Sequence, residues 1–252
     1  RSRNLIGVLA RPAKPPPAQR PAVLLLSAGV VHCAGPFGMY VALARTLADR
    51  GFVVLRFDLA GIGDSAQPRD ARTVQERTID DVTDAMDYLE RSLNVRSFVL
   101  GGLCSAADDA HALTNVDARV VGNIMLDGYA YPTVRYRLRR VTAKLTRPSL
   151  FARAFARASR SLQRNREATD GLPATQHVPR PFPDGGQFRK EVQNSLKRGV
   201  QYLCVFSGGV GYYNYADQFR HFVGVPADDP ALSEVYLPGA EHTYPLGMHR
   251  QR

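Results

Sequence analysis

Short apolar segments alternate with amphipathic segments along most of the chain, and this alternation is the strongest constraint on its fold. The amphipathic segment "TVQERTIDDVTDAMDYLERSL" places Ile79, Val82, Met86 and Leu89 on one face of a helix. The predicted strands are rich in β-branched or aromatic residues: "NLIGVLARP", "AVLLLSAG", "FVVLRFDLAG", "RSFVL", "VVGNIMLDG", "QYLCVFSGG" and "SEVYLPGAEH". Strands that alternate with helices predict an α/β fold with a mostly parallel, doubly wound sheet. In such sheets the functional groups collect at the carboxyl ends of the strands.

One predicted strand runs directly into a helix, in the sequence "RSFVLGGLCSAADDAHAL". A nucleophile held at such a corner requires small residues two positions before and two positions after it, because the backbone turns tightly. Centring this pattern on Cys104 places Gly102 and Ala106 at the small positions, whereas centring it on Ser105 places the bulky Leu103 there. We therefore predict that Cys104 is the nucleophile. The alternative is that Cys104 is only a small buried apolar residue.

The basic character of the chain is concentrated in one block. The net charge is +10 over 252 residues, and residues 131–200 hold 16 Lys/Arg against 4 Asp/Glu. We predict a core formed by residues 1–130 and 199–252, separated by a basic helical lid at 131–198 that leads into the last core helix. The chain has no apolar run long enough to cross a membrane and no signal-peptide pattern at its start.

The three cysteines show neither a disulfide framework nor a zinc-binding spacing. We therefore expect a reducing, cytoplasmic location and no metal.

Several segments resemble the α/β-hydrolase superfamily in the order expected for it. "LRFDLAGIGDS" is similar to the D-x-x-G-x-G-x-S turn that precedes the nucleophile, and "LLLSAGV" stands where that family has its oxyanion loop. "VYLPGAEHTY" resembles the last strand and the catalytic-histidine loop, and the basic block lies between the sixth and seventh strands of the family, where its lid occurs. The elbow "GLCSAA" with "LDGYAYPT" resembles a cysteine-nucleophile subgroup that includes exosortase-associated hydrolases and carrier-protein aminoacyl shuttles. The resemblance implies an α/β-hydrolase fold with a Cys-His-Asp triad.

The partners of Cys104 are predicted from their positions along the chain. His242 follows the last strand and is the expected base. Asp127 ends the strand "NIMLDG" and is the expected acid, with Asp217 as the alternative. The oxyanion would be held by the backbone N–H groups of Ser105 and Val30, with Gly29 as an alternative to Val30.

These residues predict acyl transfer from an ester or thioester through Cys104 to water or another acceptor. A group linked to an acyl or peptidyl carrier protein is the expected substrate, and its phosphopantetheine arm would be the only cofactor. The alternatives are a small-molecule esterase or lactone hydrolase of the dienelactone-hydrolase type, and a binding protein that kept the fold.

A stripe of arginines in "SLFARAFARASRSLQR" is the predicted docking surface for an acidic carrier protein. Helical spacing puts its four members on one face: Arg153, Arg157, Arg160 and Arg164. A solvated lid helix and an anionic membrane surface are the alternatives, and nucleic acid is not expected.

Overall fold

The predicted alternation of strands and helices forms a seven-stranded sheet. The computed structural model describes residues 4–14, 20–145 and 182–245. The strands are β1 (Gly7–Ala10), β2 (Ala22–Leu26), β3 (Val54–Phe57), β4 (Phe98–Leu103), β5 (Val120–Leu126), β6 (Gln201–Ser207) and β7 (Leu232–Leu237). Their order across the sheet is β1-β3-β2-β4-β5-β6-β7, with β1 antiparallel to β3 and every other pair parallel. The predicted mostly parallel α/β fold is confirmed.

Helices cover both faces of this sheet. They are α1 (Met39–Asp49), α2 (Val74–Leu93), α3 (Ser105–Val116), α4 (Val134–Leu145), α5 (Gly185–Lys197) and α6 (Gln218–Val223). Alternate residues of β2 point to opposite faces, so that Leu24 and Leu26 join the α2 and α3 side of the core. Val23 and Leu25 lie in a second cluster with Tyr40 of α1. Burial of every β2 residue explains why this strand is a continuous apolar run.

Helix α2 follows its sequence pattern closely. Val82, Met86 and Leu89 are fully buried against the sheet, as their spacing predicts. Thr73 caps the first turn: its Oγ1 accepts a hydrogen bond from the Glu76 N–H, and the Glu76 carboxylate accepts one from the Thr73 N–H.

Backbone hydrogen bonds continue beyond the ends of three neighbouring strands. The Cys104 N–H donates to the Leu126 carbonyl (2.8 Å), and the Asp127 N–H donates to the Val205 carbonyl (2.8 Å). The sheet therefore holds the first residue after β4 and the first residue after β5 side by side at one edge. This edge carries the candidate site.

The described part of the basic block contains α4 at its start and α5 at its end. Residues 146–181 lie outside the described residues, and with them the predicted stripe of Arg153, Arg157, Arg160 and Arg164. The division into core and lid stays a prediction. Within the described ranges, no helix has both the length and the apolar content needed to span a membrane.

Candidate active site

The corner between β4 and α3 has a strained backbone centred on Cys104. This residue has φ 58° and ψ −122°, a conformation that residues with a Cβ rarely adopt. The turn is also tight, because a Cβ on Gly102 would lie 2.4 Å from the Ala106 Cβ. Both small positions of the sequence pattern are thus needed for the turn, which agrees with a pattern centred on Cys104.

Cys104 stands at the amino end of α3, as its N-cap residue. Its carbonyl accepts hydrogen bonds from Ala107 N (3.0 Å) and Asp108 N (3.3 Å), which fixes the first turn of the helix. The positive end of the helix dipole favours a negative charge at this position. A cysteine here is therefore biased toward the thiolate, the nucleophilic form of the side chain.

His242 connects Cys104 to Asp127. The Nδ1 atom of His242 lies 2.9 Å from Oδ2 of Asp127. Hydrogen bonds to Asp127 and to Cys104 raise the pKa of His242 to about 9, against the opposing effect of partial burial. The predicted Cys104, His242 and Asp127 are brought together in one hydrogen-bonded chain.

The Asp127 side chain is completely buried and has several donors. Ser207, the last residue of β6, donates its N–H to Oδ1 (2.6 Å) and its hydroxyl to Oδ2 (2.7 Å). Three hydrogen bonds, counting the one from His242, hold this buried carboxylate in one orientation, so that it can orient the imidazole ring. Burial and the nearby Asp127 charge together raise the pKa of the Tyr244 hydroxyl, so this neighbour stays neutral.

Asp217, the alternative acid, lies elsewhere. It is the exposed N-cap residue of α6, where its carbonyl accepts a hydrogen bond from the His221 N–H. The carboxylate found at His242 among the described residues is that of Asp127.

The predicted oxyanion loop lies against the elbow. Val31 N–H donates to the Ala28 carbonyl (2.9 Å), which forms a turn with Gly29 at φ 54°. Gly29 N–H donates to the Ser105 hydroxyl oxygen (3.0 Å), so this N–H already has an acceptor. Val30 N–H is therefore the better candidate in the loop for binding an oxyanion, beside the N–H of Ser105.

Three side chains that sequence reasoning missed hold this arrangement in place. Ser207 anchors Asp127, and the Ser105 hydroxyl tethers Gly29. The buried hydroxyl of Tyr40 accepts a hydrogen bond from the Leu103 N–H (2.7 Å), directly before the nucleophile. Ser207 has no signal in the sequence beyond its place at the end of the strand next to the one that Asp127 follows. Tyr40 has no comparable signal, because it occurs within an ordinary amphipathic helix.

His32 and Asp58 join the oxyanion loop to the turn after β3. His32 Nε2 lies 3.2 Å from Asp58 Oδ2 and 3.4 Å from Asp64 Oδ2. His32, Cys33 and Asp58 bring possible metal-ligand atoms within 4.8 Å of one another. However, the Arg56 guanidinium donates to Cys33 Sγ, and its positive charge opposes a second cation there. We interpret this cluster as structural.

The sheet order, the elbow after β4 and the histidine loop after β7 together define the α/β-hydrolase fold. No protein-family model and no curated protein matches the chain. Solved structures do match it. An alpha-beta serine hydrolase homologue from Coxiella burnetii is 13% identical with a TM-score of 0.58, over 99% of this chain and 94% of that chain. Est1E from Butyrivibrio proteoclasticus, solved with ferulic acid bound, is 16% identical with a TM-score of 0.58, over 99% and 90%. A thermophilic esterase from Thermogutta terrifontis is 19% identical with a TM-score of 0.53, over 98% and 88%. At such identities the likeness establishes the fold, and the reaction has to be argued from the site.

Proposed function

We propose that the protein is an acyl-transfer enzyme in which Cys104 forms an acyl-enzyme from an ester or thioester. The observation that carries the proposal is the hydrogen-bonded chain from Cys104 through His242 to the buried Asp127. A protein that only binds ligands has no use for a strained cysteine at a helix terminus beside a histidine of raised pKa.

The first half of the reaction uses His242 as base and then as acid. Asp127 occupies Nδ1 of the imidazole, so Nε2 is the ring nitrogen that takes the Cys104 proton. The sulfur then bonds to the carbonyl carbon, and the oxyanion is stabilised by the N–H groups of Val30 and Ser105. As the bond to the leaving group breaks, His242 returns the proton to the departing oxygen or sulfur. The raised pKa of His242 favours the imidazolium form, and an imidazolium beside a cysteine favours the nucleophilic thiolate.

In the second half the acyl group leaves Cys104. His242 takes a proton from water or another acceptor, the acceptor atom bonds to the carbonyl carbon, and the carbon–sulfur bond to Cys104 breaks. The sulfur is restored as a thiolate or recovers a proton from His242. Exchange between a thioester and a cysteine is nearly isoenergetic, which suits a shuttle that passes acyl groups onward.

A carrier-protein-linked acyl or aminoacyl group is the substrate class we propose. Its phosphopantetheine thioester would reach Cys104 while the acidic carrier docks on the basic segment that includes Arg153, Arg157, Arg160 and Arg164. The use of a reactive thiolate fits the reducing cytoplasm, where we place the protein. A small-molecule esterase or lactone hydrolase is the second candidate, favoured by the esterases Est1E and that of Thermogutta terrifontis, which share this fold.

Intact-mass spectrometry after incubation with a small acyl thioester tests the covalent step. We expect the mass of one acyl group on the wild-type chain and none on Cys104→Ala. The other two cysteines provide matched controls, because Cys33 and Cys204 are buried and form no disulfide. Cys33→Ala and Cys204→Ala should therefore still be acylated. Acylation of Cys104→Ala would refute the assignment of the nucleophile.

The fate of the acyl group separates transfer from hydrolysis. If transfer is the function, the acyl mass persists in buffer and disappears when a second thiol or amine is added, with the acyl group recovered on that acceptor. If the protein is an esterase, the acyl mass decays in buffer alone and the free acid accumulates. Decay in buffer at the same rate with and without acceptor would contradict the transfer proposal and favour the second candidate.

A further inference from the structure

Helix α4 presents an apolar stripe on its outer side. Val134, Leu138 and Val141 are 75%, 62% and 55% exposed, and their spacing puts them on one face. Tyr136 points the other way, roughly 140–160° around the helix axis from the stripe at about 100° per residue. Tyr136 is buried and donates its hydroxyl to the Gly211 carbonyl (2.5 Å). The helix is thus anchored to the protein by one face and exposes apolar side chains on the opposite face.

This orientation is unusual for a surface helix. An amphipathic helix in water turns its apolar face to the core and its polar face to the solvent. Here the row that faces outward consists of Val134, Leu138 and Val141 without a polar residue among them. Isolated exposed apolar side chains need no explanation, but a continuous row along a helix indicates a surface that is covered in the working state.

Positive charge borders the apolar stripe. The sequence from Gly128 to Leu145 contains five basic residues and no Asp or Glu. Within the described part of the chain, no carboxylate forms an ion pair with the arginines of α4. Arg137 and Arg140 line a cleft of about 300 Å³ beside the stripe, together with Pro132, Tyr136 and Val141. Two cations stand in the wall of this open cleft, so it is suited to an anionic group.

We propose that α4 docks on an anionic phospholipid surface. The stripe of Val134, Leu138 and Val141 inserts among the upper acyl chains, while Arg137 and Arg140 bind headgroup phosphates at the cleft. A basic helix with a narrow apolar face lies in the plane of a bilayer interface in this way. An acidic protein partner would account for the arginines. It would not account for the uninterrupted row of exposed apolar side chains beside them.

Docking in this orientation has a consequence for access to the candidate site. Only a short loop separates the start of α4 from Asp127 at the end of β5, so the edge of the sheet that carries the site lies near the docked helix. An acyl substrate held in the bilayer would therefore have a short path to Cys104. The docking itself does not depend on the proposed chemistry.

Sedimentation of the full chain with lipid vesicles tests the proposal. Two vesicle types are compared, one of phosphatidylcholine alone and one of equal parts phosphatidylcholine and phosphatidylglycerol. We expect binding to the anionic vesicles only, reduced at least about tenfold by Leu138→Ser with Val141→Ser and by Arg137→Glu with Arg140→Glu. Matched controls change exposed residues away from α4, namely Val116→Ser on α3 and Arg45→Glu with Arg91→Glu on α1 and α2. These controls should bind like the wild type.

Each contrary result overturns the proposal in a recognisable way. Equal binding to both vesicle types, or to neither, refutes an anionic lipid surface. If only the arginine variant loses binding and an acidic carrier protein competes with the vesicles, the surface recognises acidic proteins. If the serine variant lowers the unfolding temperature and alters limited proteolysis in the absence of vesicles, the stripe is covered by the chain itself. Acylation of Cys104 by a small thioester should be unchanged in every α4 variant, so failure of the docking proposal is distinguishable from failure of the proposed function.

Discussion

Replacement of Asp127 by Asn tests how the candidate triad works. The Asp127 carboxylate accepts hydrogen bonds from Ser207 N (2.6 Å), Ser207 Oγ (2.7 Å) and His242 Nδ1 (2.9 Å). The amide oxygen of Asn fits best at the Ser207 N–H, which turns the amide NH2 group toward His242. Nδ1 of His242 would then have to accept a hydrogen bond, and the ring proton would move to Nε2. In that tautomer His242 cannot take the proton of Cys104.

The expected loss follows from the role of the base. General acid–base assistance is worth about 10²–10⁴-fold in rate. We expect Asp127→Asn to lower kcat/KM by about 10²-fold, the lower end of this range. A cysteine ionises more readily than a serine and therefore depends less on a general base. Loss of the Asp127 charge should also lower the pKa of His242 below its raised value of about 9. The alkaline side of the pH–rate profile should therefore move to lower pH.

The assay measures kcat/KM for a small acyl thioester as a function of pH. Circular dichroism must show that the variant is folded. The Ser207 hydroxyl, which donates to Oδ2 of Asp127, would face the amide NH2 group instead, and a buried donor without its acceptor costs about 1–3 kcal/mol of stability. Asp217→Asn is the matched control, because Asp217 is exposed at the start of α6. Surface substitutions rarely change the free energy of unfolding by more than about 0.5 kcal/mol, so this variant should stay folded and keep its activity within about twofold. Full activity of Asp127→Asn together with a collapse of Asp217→Asn would refute the reasoning and transfer the acid role to Asp217.

Two further predictions concern Ser105 and the pH dependence of stability. Ser105→Ala should still form the acyl-enzyme but turn over more slowly, by less than the roughly 10²–10³-fold cost of losing an oxyanion donor, because only the tether to Gly29 is removed. Mass spectrometry and steady-state kinetics check this, and a variant that cannot be acylated would instead make Ser105 the nucleophile. The folded-state pKa of His242 is raised from 6.5 to about 9, so its contribution to stability is complete below pH 6.5 and is lost as the pH rises through about 9. Denaturant unfolding from about pH 6 to about pH 10 should show the advantage of wild type over His242→Gln shrinking across this window, and a growing advantage would contradict the sign.

The strands and long helices were predictable because their side chains carry the periodicity of the fold. The spacing of Val82, Met86 and Leu89 predicts α2, because a repeat of about 3.6 residues places all three side chains on one buried face of a helix. Helix α6 was not predicted, because its six residues span less than two turns and show no period. Its start at Asp217 also depends on a left-handed backbone conformation that no local pattern in "NYADQF" indicates.

The candidate site was predictable where it follows a strand and unpredictable where it depends on contacts across the sheet. Cys104 and Asp127 each come directly after a strand, so the topology alone places them at one edge. The partnership of Ser207 with Asp127 joins residues 80 positions apart, and that of Tyr40 with Leu103 joins residues 63 apart. Neither serine nor tyrosine is an unusual residue in these segments. Only the three-dimensional arrangement shows that these hydroxyl groups hold the acid and the elbow.

The strain at Cys104 leads to a prediction about stability. Cys104 and Asp127 have the same backbone arrangement. In each, the N–H continues the hydrogen bonding of the sheet while φ is positive, 58° for Cys104 and 48° for Asp127. A residue with a Cβ in such a conformation costs about 1–3 kcal/mol, whereas glycine adopts it freely. We therefore expect Cys104→Gly to have a higher free energy of unfolding than Cys104→Ala. In a helix or strand the order is normally reversed, because glycine destabilises a protein by about 0.5–1 kcal/mol relative to alanine.

Denaturant unfolding of the two inactive variants measures this difference directly. Both variants lack the sulfur, so the loss of its contacts with His242 cancels in the comparison and the backbone strain remains. If Cys104→Gly is the more stable variant, as expected, the backbone at residue 104 is strained in the folded protein. The strain then accompanies the placement of a side chain at the corner between β4 and α3. If Cys104→Ala is as stable as Cys104→Gly or more so, the elbow is not strained, and the backbone argument for Cys104 as the nucleophile loses its basis.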